Sequence, residues 1–245
     1  MKTTPMPLTL RVLAHLLSYP DARLREHLGE MRDALHDERA LTAGRLIEID
    51  ALIDRLRSGR AMDLEAAYVE MFDRGRGTAL HLFEHVHGDS RDRGPAMVDL
   101  IKTYEQAGLY IGQGELPDHL TVVLEYASTQ PPAQAREFLR EVSHILQVIF
   151  SALLKRESPY ASVLAAVLDL AGEKAQAVKI PDEPAIDESW EEPMAFDGCS
   201  TQGQARPGQP QPLQIVKNPA LAASATTPPA RSAASRSSPN SGARP

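Results

Sequence analysis

The chain has 245 residues and a formal net charge of −7, with 42% hydrophobic residues, 5% aromatics and a single cysteine, Cys199. The acidic balance argues against a general nucleic-acid binder, which presents a basic face. One cysteine excludes an internal disulfide and a multi-cysteine zinc or iron–sulfur site.

A core this poor in aromatics is built of Leu, Ile, Val, Ala and Met, which suits helices better than sheets. The first apolar run, Leu8–Leu17, contains Arg11 and His15 and lacks a small-residue cleavage pattern, so it is a poor signal peptide. No stretch approaches the roughly 18 uninterrupted apolar residues of a membrane span. The expectation is a soluble, cytoplasmic protein without stable membrane insertion.

The spacing predicts a first helix over Leu8–Ser18, ending before Pro20. Asp21 is a fair N-cap for a helix over Ala22–Glu38, with Leu24, Leu28, Met31 and Leu35 on one stripe. Gly44–Gly59 repeats the pattern with Leu46, Ile49, Leu52, Ile53 and Leu56, and Asp63 caps the next run, Leu64–Phe72. Pro95 opens a helix that stops at Gly108, and Pro117 opens another through Ser128, with Asp118 in its first turn. Pro132 starts a long helix through Glu157, and Ser158-Pro159 caps Tyr160–Gly172. With no strand-like alternation, the fold expected is all-α, a single domain of about eight or nine helices.

Charge divides the chain into three parts. Residues 1–172, the expected helical domain, carry 25 acidic and 19 basic residues. Residues 173–199 carry 8 acidic and 2 basic residues and form an acidic linker. In this linker Trp190, Met194 and Phe196 sit among acids as a docking element, for a partner or for the chain's own domain. Residues 200–245 have no acidic residue, 5 basic ones and 8 prolines, a composition that cannot repay the entropy of folding and marks a disordered tail.

The chemistry-bearing block is LHLFEHVHGDSRDRG, Leu80–Gly94. If it is helical, His81 and His85 stand at i and i+4 on one face, the spacing of two metal ligands, and H-x-x-E-H is the inverted zinc-protease order with Glu84 as base. That zinc-hydrolase alternative lacks a third ligand, and His87 points elsewhere. The plainer reading is a half-buried amphipathic helix with Leu80, Leu82, Phe83 and Val86 inward.

The tripeptide Asp73-Arg74-Gly75 recurs as Asp92-Arg93-Gly94 around this block. Two loops stitched by Asp–Arg pairs account for it. The functional alternative is a guanidinium site of Arg74, Arg76, Arg91 and Arg93 for carboxylate or phosphate. Asp118 and His119 have no positioned Ser or Cys nucleophile, and Cys199 sits in a flexible acidic segment. An enzyme is not expected, nor are catalytic residues, a bound metal or a cofactor.

The segment Tyr68–Leu109, continued by ELPDHLTVVLEYAS at Glu115–Ser128, closely resembles the NarJ-type chaperones that assemble respiratory nitrate reductase. The resemblance runs from about Leu8 to Cys199. It implies a TorD-like helical fold and a dedicated chaperone, absent from the finished enzyme. Such a chaperone binds the apo catalytic subunit, including its N-terminal segment, supports molybdenum cofactor insertion and delays membrane docking. Its implied partners are that subunit and molybdenum cofactor delivery proteins. Two family signatures map to Tyr68–Phe72, with Met71 in place of Leu, and to Glu115, Pro117, Asp118 and His119, with the proline one position later. By this resemblance the client-binding candidates are Tyr68, Phe72, Phe83, Glu84, His85, Asp118 and His119. Asp73, Arg74, Gly75, His87, Arg91, Asp92, Arg93, Gly94, Glu115 and Pro117 are motif or structural positions.

Overall fold

The computed structural model describes residues 5–87, 91–112 and 114–179. The expected docking element around Trp190 and the expected tail lie outside these residues. Among the described residues there are eleven α-helices: α1 Pro7–Leu16, α2 Ala22–Glu26, α3 Leu28–Glu38, α4 Ala43–Ser58, α5 Ala61–Tyr68, α6 Leu82–His87, α7 Arg93–Gln106, α8 Leu120–Thr129, α9 Pro132–Glu141, α10 Ser143–Lys155 and α11 Ala161–Ala171. Between α5 and α6 lie a π-helical turn, Val69–Asp73, and a short 3₁₀ turn, Arg76–Thr78.

The centre of the core is α11, on which only Ser162 and Asp169 are not buried. A helix apolar on nearly every side must be surrounded, and α11 packs against α4, α9, α10 and α1. Asp169, its one charged residue, accepts Arg45 Nε–H of α4 at 2.9 Å. Gly172 ends the helix in the left-handed conformation at φ 85°, where a Cβ would be strained. Helix α1 packs against α8, α3 and α11, and its Leu10, Leu13 and Leu16 are fully buried.

Several local signals act as expected. Asp21 caps α2 by accepting Leu24 N–H at 2.8 Å, and Gly108 stops α7 with φ 77°. Other boundaries differ. The run Ala22–Glu38 breaks at His27, and Pro132–Glu157 breaks at Val142; both residues leave helical geometry at φ −94°. The apolar i, i+3/i+4 spacing continues unbroken across both breaks, so it carries no mark of them; docking of the two halves on different neighbours sets the bend. These breaks raise the helix number above the expected eight or nine. Helix α5 begins at Ala61, so Asp63 sits in its first turn rather than at its cap. Helix α8 begins only at Leu120, with Pro117 and Asp118 ahead of it. Val86, expected inward, is 51% exposed.

Candidate functional site

Tyr68 and Phe72 belong to the core. Tyr68 donates its hydroxyl to Leu17 O at 2.8 Å, and its ring stands 4.8 Å from Phe72, which meets Tyr160 at 5.0 Å. Burial pushes the Tyr160 hydroxyl up to about 12 and Tyr68 higher still. Past this cluster the chain turns twice, and both turns are pinned by Arg156 just beyond α10. Its Nη2 donates to Glu70 O at 3.0 Å, and its Nη1 to Thr78 Oγ1 at 3.2 Å and Met71 O at 3.4 Å. The guanidinium lies against Gly75: a Cβ there would meet Arg156 Nη1 and Thr78 Oγ1 well inside contact distance.

The segment after these turns runs beside the one before α8. His81 and His119 form an isolated antiparallel bridge, in which Leu120 N–H donates to Leu80 O at 2.8 Å and Leu82 N–H to Asp118 O at 3.0 Å. The Asp118 carboxylate, 0% exposed, then accepts Phe83 N–H at 3.1 Å. Asp118 thus satisfies the first two orphan N–H groups of α6 from another part of the chain, a cap in trans. Tyr104 of α7 holds the turn from behind by donating its hydroxyl to Pro117 O at 2.9 Å.

Two charged groups flank this carboxylate, His81 and Arg93. His81 Nδ1 lies 3.5 Å from Asp118 Oδ1, an ion pair rather than a short hydrogen bond, and neither atom has a closer partner. Arg93 Nη2 is 3.7 Å from Asp118 Oδ2 and 3.5 Å from Glu84 Oε1. Burial alone would raise the Asp118 carboxyl, but His81, the Phe83 N–H and Arg93 together outweigh it and hold its pKa below the usual value. The Asp118 carboxylate raises His81 in turn, against its partial burial. His119, 4.9 Å from the His81 ring, is lowered by burial and then by His81, and its Nδ1 pairs with Thr121 Oγ1 at 2.6 Å.

Of the expected client-binding residues, Phe83, Glu84, Asp118 and His119 meet at this junction. His85 is turned back to Ala79 O at 2.9 Å. Tyr68 and Phe72 lie in the separate aromatic cluster. His87 packs its ring at 5.6 Å from Phe83, while Arg91, Asp92 and Gly94 are exposed at the start of α7 and Glu115 is exposed before Pro117. Asp73 is exposed, and Arg74 pairs with Glu70, one turn back. The arginines do not converge as a guanidinium site, because Arg74 and Arg93 take carboxylates on different segments.

The shared helical face expected for His81 and His85 is not formed, since α6 starts at Leu82 and His81 is held in the bridge. Among the described residues no group of three or more His, Cys, Asp or Glu is arranged to hold a metal ion. The zinc-hydrolase alternative therefore has no support. Sequence reading missed Arg156, Thr78 and Tyr104. Arg156 lies 85 positions from Met71 and carries no local signal; a lone Tyr on the apolar side of α7 was the available hint for Tyr104.

Residues 19–166 match the family model described as nitrate reductase delta subunit. The chain is 39% identical over 197 residues to the nitrate reductase molybdenum cofactor assembly chaperone NarJ of Escherichia coli (strain K12), covering 80% of this chain and 84% of that one. It is 38% identical over 193 residues to NarW of the same strain, covering 75% and 80%. It is 30% identical over 171 residues to NarJ of Bacillus subtilis (strain 168), covering 69% and 90%. The chain belongs to the nitrate reductase delta subunit family, with the NarJ-type assembly chaperones among its relatives.

Proposed function

We propose that this protein is a dedicated, non-catalytic assembly chaperone for respiratory nitrate reductase. It acts in the cytoplasm, binds the apo catalytic subunit including its N-terminal segment, supports molybdenum cofactor insertion, delays membrane docking and leaves the finished enzyme. Molybdenum cofactor delivery proteins are its further partners. No helix among the described residues is long and apolar enough to cross a membrane, which suits a role outside the bilayer.

The observation that carries the reading is the junction of α6 with the turn before α8. It is locked from within by Asp118, yet its two segments present partly or fully exposed apolar groups, Phe83, Val86 and Leu116, beside the Glu84 and Glu115 carboxylates. Such a surface takes the apolar face of a peptide helix and attracts its Lys or Arg residues. In this reading Phe83, Glu84 and His119 touch the client, His85 borders it, and Tyr68, Phe72 and Asp118 hold the surface in shape.

Calorimetry of the full chain with the N-terminal peptide of the cognate catalytic subunit, at two salt concentrations, tests it. Binding that weakens at higher salt is expected. No heat at either concentration with folded protein overturns the reading.

A further inference from the structure

Next to the Pro117 turn, where Tyr104 donates to Pro117 O, a second feature is unused by this reading. A cavity of about 310 Å³ opens between α1, α8 and the segment after α7. Its aromatic wall is Tyr104, Tyr126 and Tyr110. The first two rings lie 4.7 Å apart, and Tyr126 is backed at 4.9 Å by Phe138. Tyr110 is 81% exposed, far more than a tyrosine with a packing role. Glu115 and Glu125 bring two carboxylates to the same cavity, and neither is in an ion pair among the described residues. Leu109, Ile111 and Val122 supply aliphatic lining.

The opposing charge comes from α1. Arg11 lines the cavity with His15, and its Nε donates to Ser128 Oγ at 3.2 Å. The cavity thus sets two carboxylates against one guanidinium. Ring faces carry negative quadrupole charge and attract cations within about 6 Å of their centres. An apolar stem leading to a cationic head is the profile of a lysine or arginine side chain.

We propose that this cavity is a subsite for a lysine or arginine side chain of the client segment. Its stem lies along Leu109, Ile111 and Val122, and its charge faces Tyr110, Tyr126, Glu115 and Glu125. The proposal rests on the client-binding reading and deepens it: the apolar face of the client would meet Phe83, and a basic residue of it would enter the cavity lined by Tyr104 and Glu115.

The test is calorimetry of the full chain with two probes: the N-terminal peptide of the cognate catalytic subunit, and the same peptide with its Lys and Arg replaced by norleucine. Tyr110→Ala and Glu125→Gln, both at exposed positions, are compared with the unaltered protein after circular dichroism shows the fold intact. Each substitution is expected to weaken the natural peptide about 5-fold and to leave affinity for the norleucine peptide unchanged. If both variants bind the natural peptide as tightly as the unaltered protein, the subsite is wrong while client binding stands. If the unaltered protein binds neither peptide, client binding falls and the subsite with it.

Discussion

Asp118 and Phe83 are 35 positions apart, and the fully buried carboxylate of one accepts the backbone N–H of the other at 3.1 Å. That bond makes a residue ahead of α8 the cap of α6. It also fixes where Phe83 and Glu84, the side chains assigned to the client surface, stand relative to the Pro117 turn. The site is thus organised by one buried anion whose charge is balanced by His81 and Arg93.

Removing that anion should be costly. Asp118→Ala leaves the Phe83 N–H without its acceptor and strips His81 and Arg93 of their partner. A loss of about 2–3 kcal/mol is expected in urea unfolding, below the roughly 3–5 kcal/mol of a fully buried pair because both partners are partly exposed. Asp118→Asn keeps an acceptor for Phe83 and should cost less. Equal losses for the two variants would mean the charge, rather than the cap, carries the effect.

The two histidines of the bridge should titrate in opposite directions. His81 is raised, so its contribution to stability is complete below the unfolded value of about 6.5 and disappears as pH rises through its folded pKa. His119 is lowered, so its neutral form contributes above about 6.5 and is lost as pH falls through its folded pKa. The lowered Asp118 contributes above about 3.9 and is lost as pH falls through its own folded pKa. NMR titration of the imidazole signals should place His81 above and His119 below an ordinary histidine. In His81→Gln the decline of stability as pH rises above about 6.5 should flatten. Two coincident titrations at the ordinary value would show that the pair does not form.

The repeated Asp-Arg-Gly tripeptides should respond differently to alanine. At Gly75 a Cβ collides with the Arg156 guanidinium and Thr78 hydroxyl and meets Met71 O at 3.2 Å. Gly75→Ala is expected to lose about 1–3 kcal/mol, the cost of forcing atoms into a packed site. Nothing lies within 4 Å of a Cβ at Gly94, in the first turn of α7. Gly94→Ala should be neutral or stabilising by up to about 1 kcal/mol. Thermal melts of the two variants side by side decide this.

Tyr68 and Phe83 should separate stability from recognition. Tyr68→Phe removes a buried hydrogen bond to Leu17 O and should cost about 1 kcal/mol, with peptide affinity unchanged in the folded protein. Phe83→Ala, at a half-buried position, should weaken peptide binding by more than its modest effect on the melting temperature predicts. Peptide affinity that falls with Tyr68→Phe and not with Phe83→Ala would reverse the assignment.

Legibility followed range along the chain. The helical content, the apolar faces of α1, α4 and α11 and the Asp21 cap all follow from residues within four positions of one another. The H-x-x-E-H pattern failed for an instructive reason: its i, i+4 argument needs His81 inside the helix, and α6 starts one residue later because Leu82 N–H is taken by Asp118 O. Asp118 itself was expected in the first turn of its own helix, and it serves another.

Helix type and core-facing stripes were determined by the sequence alone, because helical periodicity is a property of one segment in water against any apolar surface. So was family membership, carried by the block around LHLFEHVHGDSRDRG. Only the tertiary structure decided that His81 faces Asp118, that Arg156 secures two turns some 85 positions away, and that three tyrosines and two carboxylates share one cavity. Those partners are chosen when helices dock, since a charged or polar group pairs with whatever burial brings within reach, and neighbouring residues along the chain do not encode that choice.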